Sequence, residues 1–289
     1  MNATSRSCRQ GFRRLKGAQP PNEEAKGDCS RAAIRNDTRL IGNAARGRCS
    51  HLPRVCYSGK DLEPVDAMSL NTKLRFLRDS MSRNAGPKVA AACEQAAEIQ
   101  ASLASEDGTV LKCPKTVPDA TLVAADGSEV SVLDLIAGKP AALLFFRGDW
   151  CPYSTTSMRA YEEVRAALTE RGAVLVGITP RCHEALSAAV ARNLLGYLLL
   201  TDPEQKLAEA MGVRARVTPA MVGLFKSHGV DLAAMNESAD WSLPLEATFL
   251  VDAEGAIFCA NAYPHPAMRL EPSELRDRLL AKLERHLPA

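Results

Sequence analysis

Four short apolar runs, at residues 141–146, 173–178, 197–200 and 247–251, narrow the folds open to this chain. Each reads as a buried strand. Between and after them lie segments with helical spacing, at 152–171, 184–193, 203–211 and 272–286. A strand at 120–123 and a return strand at 130–132 flank the turn signal Asp126-Gly127, and 257–260 pairs back on 247–251 around 252–255. The stretch between 211 and 247 shows no regular pattern and is expected to be irregular. Strands alternating with helices, then a hairpin and a last helix, predict an α/β fold with a mixed central sheet covered by helices on both faces.

The 289 residues suggest about two domains. Residues 1–60 carry 13 basic and 4 acidic side chains, a balance of +9, and lack apolar periodicity. A disordered basic tail over 1–66 is the simplest expectation. An organelle transit peptide competes with it, against the acidic residues Glu23, Glu24, Asp28 and Asp37. So does a gene-model extension upstream of a working start at Met68. From 67 to about 105 the pattern is helical: Leu70, Leu74, Leu77 and Met81, a break at Gly86-Pro87, then Val89, Cys93, Ala96, Ala97 and Ile99. This helical extension, assigned to 67–116, is expected to pack on the main domain at 117–289 or on another subunit as a homodimer contact.

The residues after 60 hold 23 basic and 30 acidic side chains, a balance of −7, which argues against nucleic-acid binding by the body. No apolar run is long enough for a bilayer-spanning helix, so no membrane partner is expected. The nine cysteines are odd in number and follow no secretory-type apolar segment. That predicts mostly free thiols in a reducing compartment: the cytoplasm, or an organelle if the basic tail is a transit peptide. No Cys-x-x-Cys occurs, which argues against a structural zinc site. No metal, haem, flavin or nucleotide cofactor is expected.

Chemistry is expected at Cys151. It follows the run 141–146 and Arg147-Gly148-Asp149-Trp150, and a helical pattern starts at about Pro152. A cysteine there meets unpaired backbone N–H groups and the positive end of the helix dipole, both of which favour the nucleophilic thiolate. A Cys-x-x-Cys pair would need Cys at 154, and the residue is Ser154.

The order of elements resembles the thioredoxin fold in its peroxiredoxin form. The stretches "VPDATL", "ADGSEVSVLDL", "FFRGDWCPYS", "LVGITP", "LLTDPEQKLAEAMGV", "ATFLVDAEGAI" and "LEPSEL" resemble the peroxiredoxin-like branch of the AhpC/TSA group, over about residues 68–286. The resemblance implies that Cys151 is the peroxidatic thiol. It also implies a hydroperoxide substrate and an external thiol reductant, thioredoxin-like or glutathione-like. Arg147, at the strand end, is the candidate guanidinium to favour the thiolate and bind a peroxide oxygen.

Three departures bear on activity. The branch motif has Cys where this chain has Ser154, so the local resolving thiol is gone. Gly148 stands where ordinary peroxiredoxins place Thr, as in the branch motif itself. Glu246 occupies the place where thioredoxin-fold proteins put a cis-proline facing the active cysteine, with Pro244 two residues earlier. Glu246 is expected in a trans peptide, because the cis form of a non-proline costs about 3 kcal/mol. A carboxylate there is expected to oppose the thiolate.

Cys182 follows the strand at 173–178 and is the candidate substitute resolving thiol, against the plainer reading of a thiol at a helix start. Cys113 is a weaker candidate, while Cys259 and Cys93 read as core. Among pocket candidates, Trp150 is expected mainly to pack against the sheet. Thr179 is expected mainly to cap a turn, and Ser154 and Glu246 complete the set. His183 is weighed as an acid/base group and set below a surface role. Thr155, Thr156 and Ser157 are first-turn hydroxyls. The leading function is a thiol peroxidase. A binding or redox-regulatory thioredoxin-fold protein without turnover is the alternative, and a dithiol oxidoreductase is disfavoured by Ser154.

Overall fold

The computed structural model describes residues 68–85 and 113–284, except 228, 237, 239 and 264. The basic tail, the second N-terminal helix with Cys93, and the last residues of the closing helical pattern lie outside the described residues.

The apolar run at 141 forms β3 (Ala141–Phe145), with every residue buried. It runs parallel to β4 (Val174–Thr179), which runs parallel to β5 (Leu198–Thr201). On the other side β3 pairs antiparallel with β8 (Glu246–Val251), and β8 with β9 (Ile257–Tyr263). The antiparallel pair β1 (Thr121–Val123) and β2 (Glu129–Ser131) extends the β5 edge. The order is β2-β1-β5-β4-β3-β8-β9, the expected mixed sheet of a thioredoxin-like fold.

Side chains of a strand alternate between the faces of a sheet, so one strand feeds two cores. Ala142, Leu144 and Phe146 enter a cluster with Leu70, Leu74, Met158, Tyr161, Leu168, Leu275 and Leu279. These come from α1 (Leu70–Ala85), α3 (Pro152–Glu170) and α8 (Pro272–Glu284). Ala141, Leu143 and Phe145 enter a second cluster with Val132, Ile136, Leu207 and Met211 on the opposite face. Between β4 and β5 runs α4 (Leu186–Asn193), and after β5 comes α5 (Lys206–Ala210).

α1 packs on α3 of its own chain. Leu70 and Leu74 are buried, and Lys73 pairs with Glu163 at 3.7 Å. The apolar stripe is shorter than its spacing suggests, since Met81 is exposed.

Two local expectations fail. Val132 opens a helix, α2 (Val132–Ile136), instead of ending a strand. The Ser131 hydroxyl accepts the Asp134 N–H at 3.2 Å, and this N-cap turns the chain out of the sheet. The stretch expected to be irregular holds β6 (Arg214–Arg216) paired with β7 (Ser242–Pro244). Between them lie α6 (Pro219–Ser227) and α7 (Leu232–Met235). Strands of three residues are too short to show a period. Among the described residues no helix is long and apolar enough to cross a membrane.

Candidate active site

The junction between β3 and α3 is held by the backbone. Phe146 N–H donates to Ile178 O at 2.8 Å, carrying the parallel ladder past the strand end. The chain then turns at Gly148 with φ +134°, where a Cβ would stand 2.7 Å from Trp150 Nε1. Only glycine fits that turn. Cys151 is the N-cap residue of α3, with φ −90° and ψ 118°, and Pro152 occupies the first helical position. The Cys151 side chain makes no cap hydrogen bond. It is 4% exposed.

Beneath it lies a buried polar cluster. Ser154, fully buried in the first turn of α3, accepts the Arg147 N–H at 3.2 Å and donates to Glu246 Oε1 at 3.2 Å. Arg147 Nε lies 3.6 Å from the same oxygen. The other Glu246 oxygen is in contact with Arg269 Nη2. Arg269 Nε donates to Ser157 Oγ at 3.1 Å, and its guanidinium lies over the Phe146 ring at 5.6 Å. Ser157 itself donates to Tyr153 O at 2.9 Å. Arg269 and Glu246 are both buried. Burial pulls the Arg269 pKa down to about 9, the electrostatic influence of Tyr161 and Cys151 working against the drop and that of Arg147 adding to it. Arg269 and Cys151 thus lie within electrostatic reach of each other.

The cluster changes the expectation for Glu246. Its peptide is trans, as are all those described. Its carboxylate does not stand alone against the sulfur, because two guanidiniums face it. A buried carboxylate matched in this way takes up positive charge from both without leaving the site negative.

The other candidates are dispersed. Trp150 packs edge-on against Phe225 of α6 with ring centroids 5.5 Å apart. Thr179 Oγ1 accepts the Arg181 N–H at 3.3 Å, the turn-capping role. Cys182 is buried beyond the end of β4, the strand next to β3, and its N–H donates to Met235 O at 3.2 Å. Among the described residues Cys113, Cys151, Cys182 and Cys259 form no disulfide. Cys113 is half-buried, which pushes its thiol pKa up. Cys259 is half-buried and packs against the first core cluster, and its sulfur receives an Arg278 N–H at 2.9 Å. His183 is half-exposed, 3.6 Å from Glu184 and beside the Gly127 turn. Thr155 and Thr156 donate to Pro152 O at 3.0 and 2.9 Å. Asp149, almost fully buried, is matched by Arg181 at 3.1 Å and by Arg192.

Residues 114–258 match the sequence model of the AhpC/TSA family, "AhpC-TSA". The chain belongs to the AhpC/TSA family. Peroxiredoxin Bcp of Bacillus subtilis (strain 168) is 30% identical over 140 residues, 48% of this chain and 78% of that protein. The putative peroxiredoxin bcp of Helicobacter pylori (strain J99) is 27% identical over 120 residues, 40% of this chain and 78% of that protein. The crystal structure of peroxidoxin BcpB from Mycobacterium tuberculosis superposes with a TM-score of 0.47 at 18% identity, covering 62% of this chain and 99% of that one.

Sequence reasoning missed Arg269 and named Ser157 only as a first-turn hydroxyl. The matched AhpC/TSA stretch ends before Arg269. The one signal was the segment "RLEP", where an arginine directly precedes the family-like "LEPSEL".

Proposed function

We propose that this AhpC/TSA protein is a thiol-dependent peroxidase with Cys151 as its nucleophile. The Cys151 thiolate attacks one oxygen of a hydroperoxide. An S–O bond forms, the O–O bond breaks, and the departing oxygen takes a proton to leave as water or an alcohol. Sulfur is oxidised to a sulfenic acid and the peroxide is reduced. A second thiol condenses with the sulfenic acid, and an external thiol reductant restores the starting state.

The observation that carries this reading is the charge inventory around the first turns of α3. Arg147 and Arg269 bring two positive charges and Glu246 one negative charge. Two guanidiniums thus meet at one buried carboxylate near the start of α3, and a thiolate at Cys151 would add a second negative charge there. Such a set of charges suits a step in which the sulfur acts as a nucleophile. It also favours the peroxidase over a binding protein without turnover, which would need no such balance. For the second thiol we propose Cys182, at the same edge of the sheet on the neighbouring strand. The protein is proposed to work in the cytoplasm, with an external thioredoxin-like or glutathione-like thiol as reductant.

The test is stopped-flow oxidation of the reduced protein by hydrogen peroxide, followed by peptide mass spectrometry. Cys151 should react far faster than free cysteine, and Cys151→Ser should abolish the reaction. The product should be a Cys151 sulfenic acid or a Cys151–Cys182 disulfide. A rate no greater than that of free cysteine ends the peroxidase reading.

A further inference from the structure

Arg269 reaches the site from outside the matched family stretch, on the short segment between β9 and α8. A buried guanidinium facing a carboxylate needs its backbone fixed, because a displacement of an ångström removes much of its effect. Three side chains hold this segment. Asn71, in the first turn of α1, bonds Arg269 on both sides of its Cα: Oδ1 accepts the Arg269 N–H at 2.8 Å and Nδ2 donates to the Arg269 carbonyl at 2.9 Å. Glu271 accepts the Leu70 and Asn71 N–H groups, each at 2.9 Å, and the Asn71 side chain at 2.7 Å. It thereby supplies the carboxylate that the first turn of α1 lacks in its own sequence. Tyr161 OH donates to Leu270 O at 2.7 Å from α3.

We propose that Asn71 is a positioning residue for the reaction at Cys151. By clamping the main chain at Arg269 it keeps the guanidinium on Glu246 and Ser157, and so keeps the positive charge that balances the thiolate. On this reading α1 is part of the functional unit, although it precedes the family-matched stretch. The inference rests on the peroxidase reading for its consequence in turnover, but its electrostatic core concerns the thiol alone.

The experiment uses the full chain and measures alkylation of Cys151 by iodoacetamide against pH, beside peroxide oxidation and thermal unfolding. Asn71→Ala should shift the alkylation profile to higher pH and slow alkylation at pH 7 by at least about threefold, since one pKa unit is about tenfold in thiolate. Peroxide oxidation should slow in parallel and recover at alkaline pH. In an Arg269→Met background the further change Asn71→Ala should leave the profile where Arg269→Met alone has put it, because Asn71 acts through Arg269. Asn71→Ser is the milder variant if Asn71→Ala does not fold, and it should shift the profile in the same direction. A variant that loses thermal stability with an unmoved alkylation profile overturns the proposal. If wild-type protein reacts with peroxide no faster than free cysteine, the peroxidase reading fails, yet the alkylation profile still decides the role of Asn71.

Discussion

A carboxylate opposes a neighbouring thiolate only while its own charge is uncompensated. Glu246 is sandwiched between Arg147 and Arg269 and receives the Ser154 hydroxyl. Removing its charge acts on two properties in opposite directions. Glu246→Gln leaves two buried guanidiniums without their shared counter-ion, which costs about 3–5 kcal/mol of stability by analogy with other broken buried pairs. The same change raises the positive potential at Cys151, so the thiol should ionise at lower pH. Denaturant unfolding and the iodoacetamide profile should therefore move apart: less stable protein, more acidic thiol. A thiol that becomes less acidic would show that Glu246 holds the arginines in place more than it cancels them. This balance was only half legible in the chain. Cys151, Arg147 and Ser154 stand together in one motif, and Glu246 stood out as an unusual residue. Its partner Arg269 is flagged only by its place directly before the family-like stretch at 270–275, because only the folded chain brings the segment after β9 to α3.

Regular elements followed from pattern where buried runs are long enough to show a period, whereas β7, fully buried but three residues long, was missed. β3, with every residue buried, lies within its predicted run, and α3 and α4 appear close to theirs. The pattern failed where elements are short or half covered. α6 has the apolar sequence Pro-Ala-Met-Val-Gly-Leu-Phe-Lys-Ser, yet none of its residues is buried. Its link to the site is Phe225 against Trp150, the neighbour of Cys151. An edge-to-face pair of this kind contributes about 0.5–1.5 kcal/mol beyond the area it covers. Phe225→Ala should thus leave global stability nearly intact while loosening α6. Hydrogen exchange should quicken across 219–227, and protection in β3 and β4 should not change. Faster exchange spread through the central strands would mean that α6 belongs to the main core.

At the scale of the described molecule, α3 joins one face of the sheet to α1, α8 and the Arg269 segment. Its N-terminus holds Cys151, and its face carries Ser154, Ser157 and Tyr161 into the gap between the sheet and the Arg269 segment. Tyr161 is a buried hydroxyl at this joint, and burial pushes its pKa up to about 12. Tyr197, whose OH donates to Met158 O at 3.0 Å on the same helix, is raised well above the usual tyrosine range for the same reason. Between about pH 10 and 12 the unfolded chain loses these protons while the folded chain keeps them. The stability they contribute is complete below about pH 10 and is lost as pH climbs through the folded values. Tyr161 alone should add a decline of about 1.4 kcal/mol per pH unit over that window. Urea unfolding at a series of alkaline pH values should show the decline in the wild type. Tyr161→Phe should flatten it by that amount, after a fixed loss of about 1 kcal/mol for the bond to Leu270 O. An unchanged slope would mean that Tyr161 ionises as freely in the folded protein as in the unfolded one, and that the joint between α3 and the Arg269 segment is open to water.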